Sequence, residues 1–315
     1  MKLVSIPANP VPEGAVLAML KTPDGVTLRT ARWAPPPGRR GTVCIFHGRG
    51  EFIEKYYETV RDLRDRGFAV ATFDWRGQGL SDRLLSDRLK GHIRNFSQYD
   101  ADLETFMREI VLPDCPPPYF ALCHSTGAAV LMRAAARGER WFDRMVFTAP
   151  LIRLAHVPLG RFAPVFARTL RLLGFGSMQL RARQGNVLAT QPFVGNILTS
   201  DPVRYARVAA VLEAEPELAV GGPTVAWVDA ALRVMKEFNE VGYAEQIRQA
   251  ILIVAAGRDR IVSTPAIEDF AIHMRAGSHL IISGALHEIM MEQDSYRRQF
   301  WAAFDAFIPG TPLFG

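Results

Sequence analysis

The sequence predicts an α/β protein built on a mostly parallel sheet, and three features predict it. Short apolar runs bounded by Gly and Pro alternate with segments of helical spacing, the pattern of successive β-α units. Several of these runs, among them TVCIFH (42–47), FAVATFD (68–74) and AILIVAA (250–256), are apolar almost end to end, as strands covered by helices on both faces must be. The alternation stops after Pro150 and resumes before Ala250, leaving a long stretch with no evident strand.

In chain order, strands are expected at 27–33 (TLRTARW), 42–47, 68–74, 119–123 (YFALC), 144–149 (RMVFTA), 250–256 and 278–283 (SHLIIS). Helical spacing marks 54–66, 99–111, 126–137, 265–274 and 294–307. The loops PPPGRRG (35–41) and CPPP (115–118) each precede a strand, where proline holds the turn and cannot extend a helix. Residues 1–150 and 246–315 are therefore expected to form one core, with 151–245 an inserted, mainly helical cap. Ligands of open α/β sheets sit outside the carboxyl ends of the strands. An insertion leaving the strand that ends at Ala149 would cover that edge.

Composition narrows the class. A chain of 315 residues, 49% hydrophobic and 22% charged, matches a globular protein with a sizeable core. Cys44, Cys115 and Cys123 form neither a disulfide framework nor a C-x-x-C pair, which fits a reducing, cytoplasmic setting. The N-terminus breaks its apolar residues with prolines and a glutamate, unlike a signal peptide. The longest uncharged stretch, 184–200, is rich in polar residues and glycine, which makes a poor membrane span, so any membrane association is expected to be peripheral, at the inner face. The net charge is +5 and the isoelectric point about 9.3. The 32 arginines and five lysines form no dense basic run, so a nucleic-acid partner is not expected. Between Asp143 and Asp201, however, there is no acidic residue and there are seven arginines, at 144, 153, 161, 168, 171, 181 and 183.

The chemistry is expected at Ser125. YFALCHSTGAAVLMRAA reads as strand, sharp turn and helix with the serine at the turn, the context of a nucleophile elbow. Strand and helix backbones come close there, so the positions two before and two after need small side chains, here Cys123 and Gly127. A serine that only caps the helix is the plainer alternative. A serine hydroxyl needs a base, and the base a third group to orient it. Of seven histidines, only His287 follows the last expected strand through a flexible turn that can return its ring to the elbow. Asp259 stands just past another buried strand, and the order Ser, Asp, His is the one that accompanies such an elbow. The turn FHGRGE (46–51) can aim backbone amides at a developing oxyanion. The donors are assigned to the N–H groups of Arg49 and Thr126, with His47, Gly48, His124 and Gly127 as supporting residues. No cofactor or metal is called for.

HGRGEFIEKYYETVRDLRDRGFAVATFDWRGQGLSD resembles the serine-aminopeptidase-like branch of the α/β-hydrolases, which includes monoacylglycerol lipases and bacterial lysophospholipases. Further matches are HIRNFSQYDADLETF, GRDRIV around Asp259 and GALHEIMME around His287, while the cap matches more loosely through NILTSDPVRYARV and ELAVGGPTVAW. The resemblance implies an α/β-hydrolase fold, a triad of Ser125, Asp259 and His287, and oxyanion amides at Arg49 and Thr126. Cys123 departs from the usual glycine. The leading expectation is hydrolysis of a lipid-like carboxylic ester, of lysophospholipase or monoacylglycerol lipase type. An aminopeptidase would need acidic groups in the cap to hold an ammonium, and Glu213, Glu215 and Glu217 are the candidates. A hydrolase-fold binding protein without turnover is a third reading.

In RFAPVFARTLRLLGFG, arginines 161, 168 and 171 fall near one helical face beside a broad apolar surface of Phe162, Val165, Phe166, Thr169, Leu170 and Leu173. Such a helix either packs on the core with its arginines in solvent, or lies against an anionic membrane surface.

Overall fold

The structure is a computed structural model that describes residues 2–37, 40–180 and 190–308. Eight strands form one sheet: β1 (Ala15–Lys21), β2 (Thr27–Trp33), β3 (Thr42–Phe46), β4 (Ala69–Phe73), β5 (Tyr119–His124), β6 (Arg144–Thr148), β7 (Ala250–Ala256) and β8 (Gly277–Ile282). Their order is β1-β2-β4-β3-β5-β6-β7-β8. The β1–β2 and β2–β4 pairs are antiparallel and all pairs from β4 onward are parallel. β3 and β4 are buried along their whole length, which is why they read as continuous apolar runs.

The seven expected strands are present, and β1 is added to them. Its sequence AVLAMLK is mostly helix-favouring Ala, Leu, Met and Lys, and Val16 and Met19 are exposed. This edge strand owes its conformation to pairing with β2 across the turn that follows Thr22, where Gly25 takes φ +86. Local sequence signals an edge strand weakly because only one side of it is covered.

Helices cover both faces: α1 (Tyr57–Asp65), α2 (Ser97–Phe106), the one-turn α3 (Leu112–Asp114), α4 (Thr126–Ala136), α5 (Ala163–Leu172), α6 (Pro202–Ala214), α7 (Val225–Phe238), the short α8 (Tyr243–Gln246), α9 (Thr264–Ile272) and α10 (Asp294–Phe307). One core layer gathers Phe46, Phe73, Phe106, Met132 and Phe147 with Trp227 and Met235 of α7. The other gathers Phe52, Tyr57, Phe68, Phe300 and Phe304 with Val211 and Leu212 of α6.

α5 to α8 all lie between β6 and β7, and among the described residues this stretch adds no strand to the sheet. Asp201 caps α6, accepting from Val203 and Arg204 N–H, and Thr224 caps α7. α6 is tied down by Glu58 of α1, which binds Arg204 and Arg207, while Arg297 of α10 holds the same carboxylate. α5 turns a different side inward from the one a core-packed helix would. Its buried residues are the small Ala163 and Ala167, while Phe162 is 62% exposed and Val165 67%. Phe166, Leu172, Leu173 and Phe175 are exposed as well. Arg171 forms an ion pair with Asp229 of α7 at 2.8 Å, which leaves Arg161 and Arg168 as the exposed basic residues of the expected three. Arg181, Arg183 and the start of the 184–200 stretch lie outside the described residues.

Candidate active site

Parallel register sets the site. Phe46 at the end of β3 pairs with Cys123 of β5, and His124 pairs with Thr148 of β6. The turns leaving β3, β5 and β6 therefore emerge side by side at one sheet edge, joined by those leaving β7 and β8.

At Ser125 the chain reverses from β5 into α4 with φ 49 and ψ −108, a region that non-glycine residues enter only when the surroundings enforce it. Those surroundings are hydrogen bonds from Ser125 N–H to Thr148 O at 3.0 Å and from Leu151 N–H to Ser125 O at 3.1 Å. α4 approaches β3 so closely that a Cβ on Gly127 would stand 2.3 Å from Phe46 O and 2.7 Å from His47 O. Cys123 occupies the other small-residue position and is fully buried. The Ser125 hydroxyl makes no helix-capping bond and lies 3.2 Å from His287 Nε2.

His287 Nδ1 lies 2.7 Å from Asp259 Oδ2. Asp259 Oδ1 accepts from Ile261 N–H at 2.8 Å and Val262 N–H at 3.0 Å. Burial would raise this carboxyl, but His287 beside it and the two amides hold it below its ordinary value. An ionised Asp259 at Nδ1 fixes that proton there and leaves the Nε2 lone pair toward Ser125, the arrangement a general base requires. The loop bearing His287 is braced by buried Glu292, which accepts from Leu286 N–H at 2.7 Å and from the Ser200 hydroxyl at 2.5 Å.

The HGRGE turn is braced from below. Gly50 N–H donates to Gln78 Oε1 at 2.6 Å, and Trp75 Nε1–H to His47 O at 3.0 Å. His47 Nδ1 contacts Gly48 O at 2.8 Å. Gly48 has no room for a side chain, since an added Cβ would meet Glu51 Oε2 at 2.9 Å and His124 Cδ2 at 3.0 Å. Asp74 accepts from Arg29, Leu80 and Ile53, so the loop from Asp74 to Ser81 supports the turn through buried charges and hydrogen bonds. Arg49 and Thr126 border the same cavity as Ser125. Among the described residues neither backbone N–H donates to a protein acceptor, and an oxyanion hole needs such free donors.

Sequence reading missed a buried cluster beside the serine. Lys55 Nζ binds Glu51 Oε1 and Glu288 Oε1, each at 2.6 Å, and Glu51 Oε2 accepts from Tyr56 OH at 2.9 Å and Gly48 N–H at 2.5 Å. Burial opposes ionisation of Glu51, but Lys55 and then His124 hold its carboxyl well below the ordinary range. The spacing of Glu51 and Lys55, four apart, was the available signal. Glu288 joins them only through folding.

Ser125 opens on a cavity of about 250 Å³. Apolar Leu151, Leu154, Leu198, Val228, Leu232 and Met235 line it together with charged Arg49, Glu51 and Glu288. Glu213, Glu215 and Glu217 are not among its lining residues, and Glu215 pairs with Lys2.

A family model described as serine aminopeptidase, S33, matches residues 37–294. The chain belongs to this family. It is 31% identical over 286 residues to lysophospholipase L2 of Escherichia coli (strain K12), covering 87% of this chain and 82% of that protein. It is 27% identical over 189 residues to monoglyceride lipase of Mus musculus, covering 59% and 60%. A soluble variant of monoglyceride lipase from Saccharomyces cerevisiae has the same fold, with TM-score 0.72 at 19% identity over 93% of this chain and 96% of that one. So does a carboxyl esterase from Bacillus coagulans, with TM-score 0.74 at 20% identity over 95% and 99%. The fold is that of the α/β-hydrolases, and the similarity to a lysophospholipase and a monoglyceride lipase places the protein among the ester hydrolases. Among the described residues no helix is long and apolar enough to cross a membrane.

Proposed function

We propose that the protein hydrolyses lipid-like carboxylic esters through an acyl-enzyme on Ser125, with a single-chain glycerolipid such as a lysophospholipid as substrate. The observation that carries this reading is the chain of contacts Ser125 Oγ to His287 Nε2 at 3.2 Å and His287 Nδ1 to Asp259 Oδ2 at 2.7 Å, beside a cavity with an apolar and charged lining. His287 takes the Ser125 proton as Oγ attacks the ester carbonyl, and the N–H groups of Arg49 and Thr126 receive the oxyanion. His287 then passes the proton to the departing alcohol. Water, deprotonated by the same imidazole, releases the acyl chain and restores Ser125.

The 151–245 segment acts as the cap, its α7 supplying much of the acyl wall through Val228, Leu232 and Met235. Its α5 surface rests on an anionic lipid surface. Exposed Phe162, Val165, Phe166 and Leu172 supply apolar area, and Arg161 and Arg168, in a stretch free of acidic residues, supply attraction to lipid headgroups. The aminopeptidase reading loses its expected ammonium site, because Glu213, Glu215 and Glu217 stand away from the cavity.

The test is a screen of the purified protein over lysophospholipids, monoacylglycerols, short p-nitrophenyl esters and aminoacyl amides, with fluorophosphonate labelling. Turnover of the single-chain lipids with label on Ser125 is expected. A folded protein that takes no label and turns over none of the esters would be a binding protein instead.

A further inference from the structure

Most of the large buried cations in this molecule have an anion beside them. Arg29 binds Glu54 and Asp74, Arg76 binds Asp24 and Asp102, and Lys55 binds Glu51 and Glu288. Arg49, which borders the Ser125 cavity and is only partly buried, is an exception. It donates once, to Gly221 O at 2.7 Å, and its Cζ stands 5.1 Å from the centre of the Trp227 ring. Its Nε–H is buried with no partner, and among the described residues it forms no ion pair with a carboxylate. Burial with no compensating anion pulls Arg49 down from 12.5 to about 10, still charged at neutral pH. Gly91 keeps space for it, since a Cβ there would stand 3.3 Å from Arg49 Nη2 and 2.7 Å from Val220 Cγ1.

A desolvated cation with an idle donor lowers stability unless something occupies it. The acyl chain lies along the apolar lining, and the carbonyl oxygen meets the backbone N–H of this same residue. The backbone N–H and the guanidinium of this one residue are a side chain's length apart, so an ester whose carbonyl oxygen meets the N–H brings its alcohol portion within the guanidinium's reach. In a single-chain phospholipid that is where the phosphodiester sits, and a guanidinium fork matches a phosphate.

Building on the ester-hydrolase reading above, we infer that the Arg49 side chain is a specificity residue that binds the anionic phosphodiester of the substrate and so favours lysophospholipids over uncharged monoacylglycerols. Backbone and side chain then act on opposite ends of the ester. The N–H stabilises charge developing on the acyl side, and the guanidinium recognises the leaving group.

The experiment compares the full chain with Arg49→Gln and Arg49→Lys on lauroyl lysophosphatidylcholine and monolauroylglycerol, both below their aggregation concentrations. Taking the ratio of the two kcat/KM values cancels any damage to the oxyanion turn common to both substrates. A charge-assisted hydrogen bond predicts a fall of roughly 10- to 100-fold in that ratio for Arg49→Gln, with partial recovery in Arg49→Lys. A second arm needs no turnover. Dodecyl phosphate is titrated into the Ser125→Ala protein with and without Arg49→Gln, following Trp fluorescence, and the added substitution should weaken binding by a similar factor. The thermal midpoint of Arg49→Gln should equal or exceed that of the wild type, because an uncompensated buried charge is removed. An unchanged substrate ratio, or dodecyl phosphate binding indifferent to Arg49, overturns the inference. So does a lowered midpoint with equal losses on both substrates, which would mark Arg49 as a latch on Gly221. If the wild type hydrolyses neither ester, the function proposed above fails, and the binding arm still decides the role of Arg49.

Discussion

The imidazoles of His124 and His287 lie 4.8 Å apart, centre to centre, on the two sides of the nucleophile turn. Burial, with a further contribution from His287, lowers His124 from 6.5 to about 4, so it stands neutral. Its Nδ1 lies 3.1 Å from both the carbonyl and the hydroxyl of Thr148, which orients a ring that packs against His287 without competing for its proton.

That neutrality makes stability depend on acid. Between about 4 and 6.5 the unfolded chain binds a proton at His124 and the folded chain does not, so stability falls as pH falls through this window. The lowered carboxyl of Asp259 acts in the same direction at lower pH. Chemical denaturation between pH 7 and 4.5 should reveal a loss on the order of 2 kcal/mol attributable to His124. A folded His124→Gln protein should lose much of that slope. An identical slope in the two proteins would remove His124 from the account.

Ser125→Ala and His287→Ala should each lower kcat by several orders of magnitude while circular dichroism and thermal midpoint stay near wild type, because triad members act as a unit. Asp259→Asn should be severe too, since an amide at this position favours the wrong imidazole tautomer. Near wild-type esterase activity in folded Ser125→Ala would end the mechanism proposed here. Activity should be unaffected by EDTA.

Gly127→Ala should be far more damaging than its single methyl suggests. The methyl would meet the backbone oxygens of Phe46 and His47, neither of which can move without opening the β3–β5 register. We expect a loss of at least about 2 kcal/mol in urea unfolding and loss of esterase activity. Tolerance of alanine here would mean the turn is looser than its backbone geometry indicates.

Lys55→Met leaves Glu51 and Glu288 facing each other without their shared cation. Breaking a buried ion network from one side costs roughly 3–5 kcal/mol. Combining it with Glu288→Gln should return part of that, a coupling that a double-mutant cycle reads directly. Strict additivity would show that the two groups do not share their energy.

For the cap, Phe162→Gln with Val165→Gln and Phe166→Gln should reduce flotation with phosphatidylglycerol vesicles several-fold while leaving hydrolysis of a short soluble ester nearly unchanged. Replacing Arg161 and Arg168 by Gln should weaken the same binding and flatten its salt dependence. If all five positions can be changed with no effect on vesicle binding, the α5 surface faces something other than lipid.

Local patterns along the chain specify the sheet and its chemistry-bearing turns. β3 to β7 are legible because strands buried on both faces must be apolar almost throughout, and β2 and β8 because turn residues bound their short runs. Ser125, Asp259 and His287 are legible because each follows one of those strands, at a turn whose length and composition are local properties. Whatever depends on residues meeting across the fold had to await packing. β1 exists because β2 offers it an edge. The Lys55 network needs Glu288, more than two hundred residues away in the chain. α5 turns its large apolar side chains to solvent because only Ala163 and Ala167 are small enough to let it pack close to α7. Arg49 is legible as a residue of a glycine-rich turn, from which its proposed backbone-donor role follows. That its side chain ends beside Trp227 follows only from α7 packing over that turn, since no local pattern records which charges burial leaves unpaired.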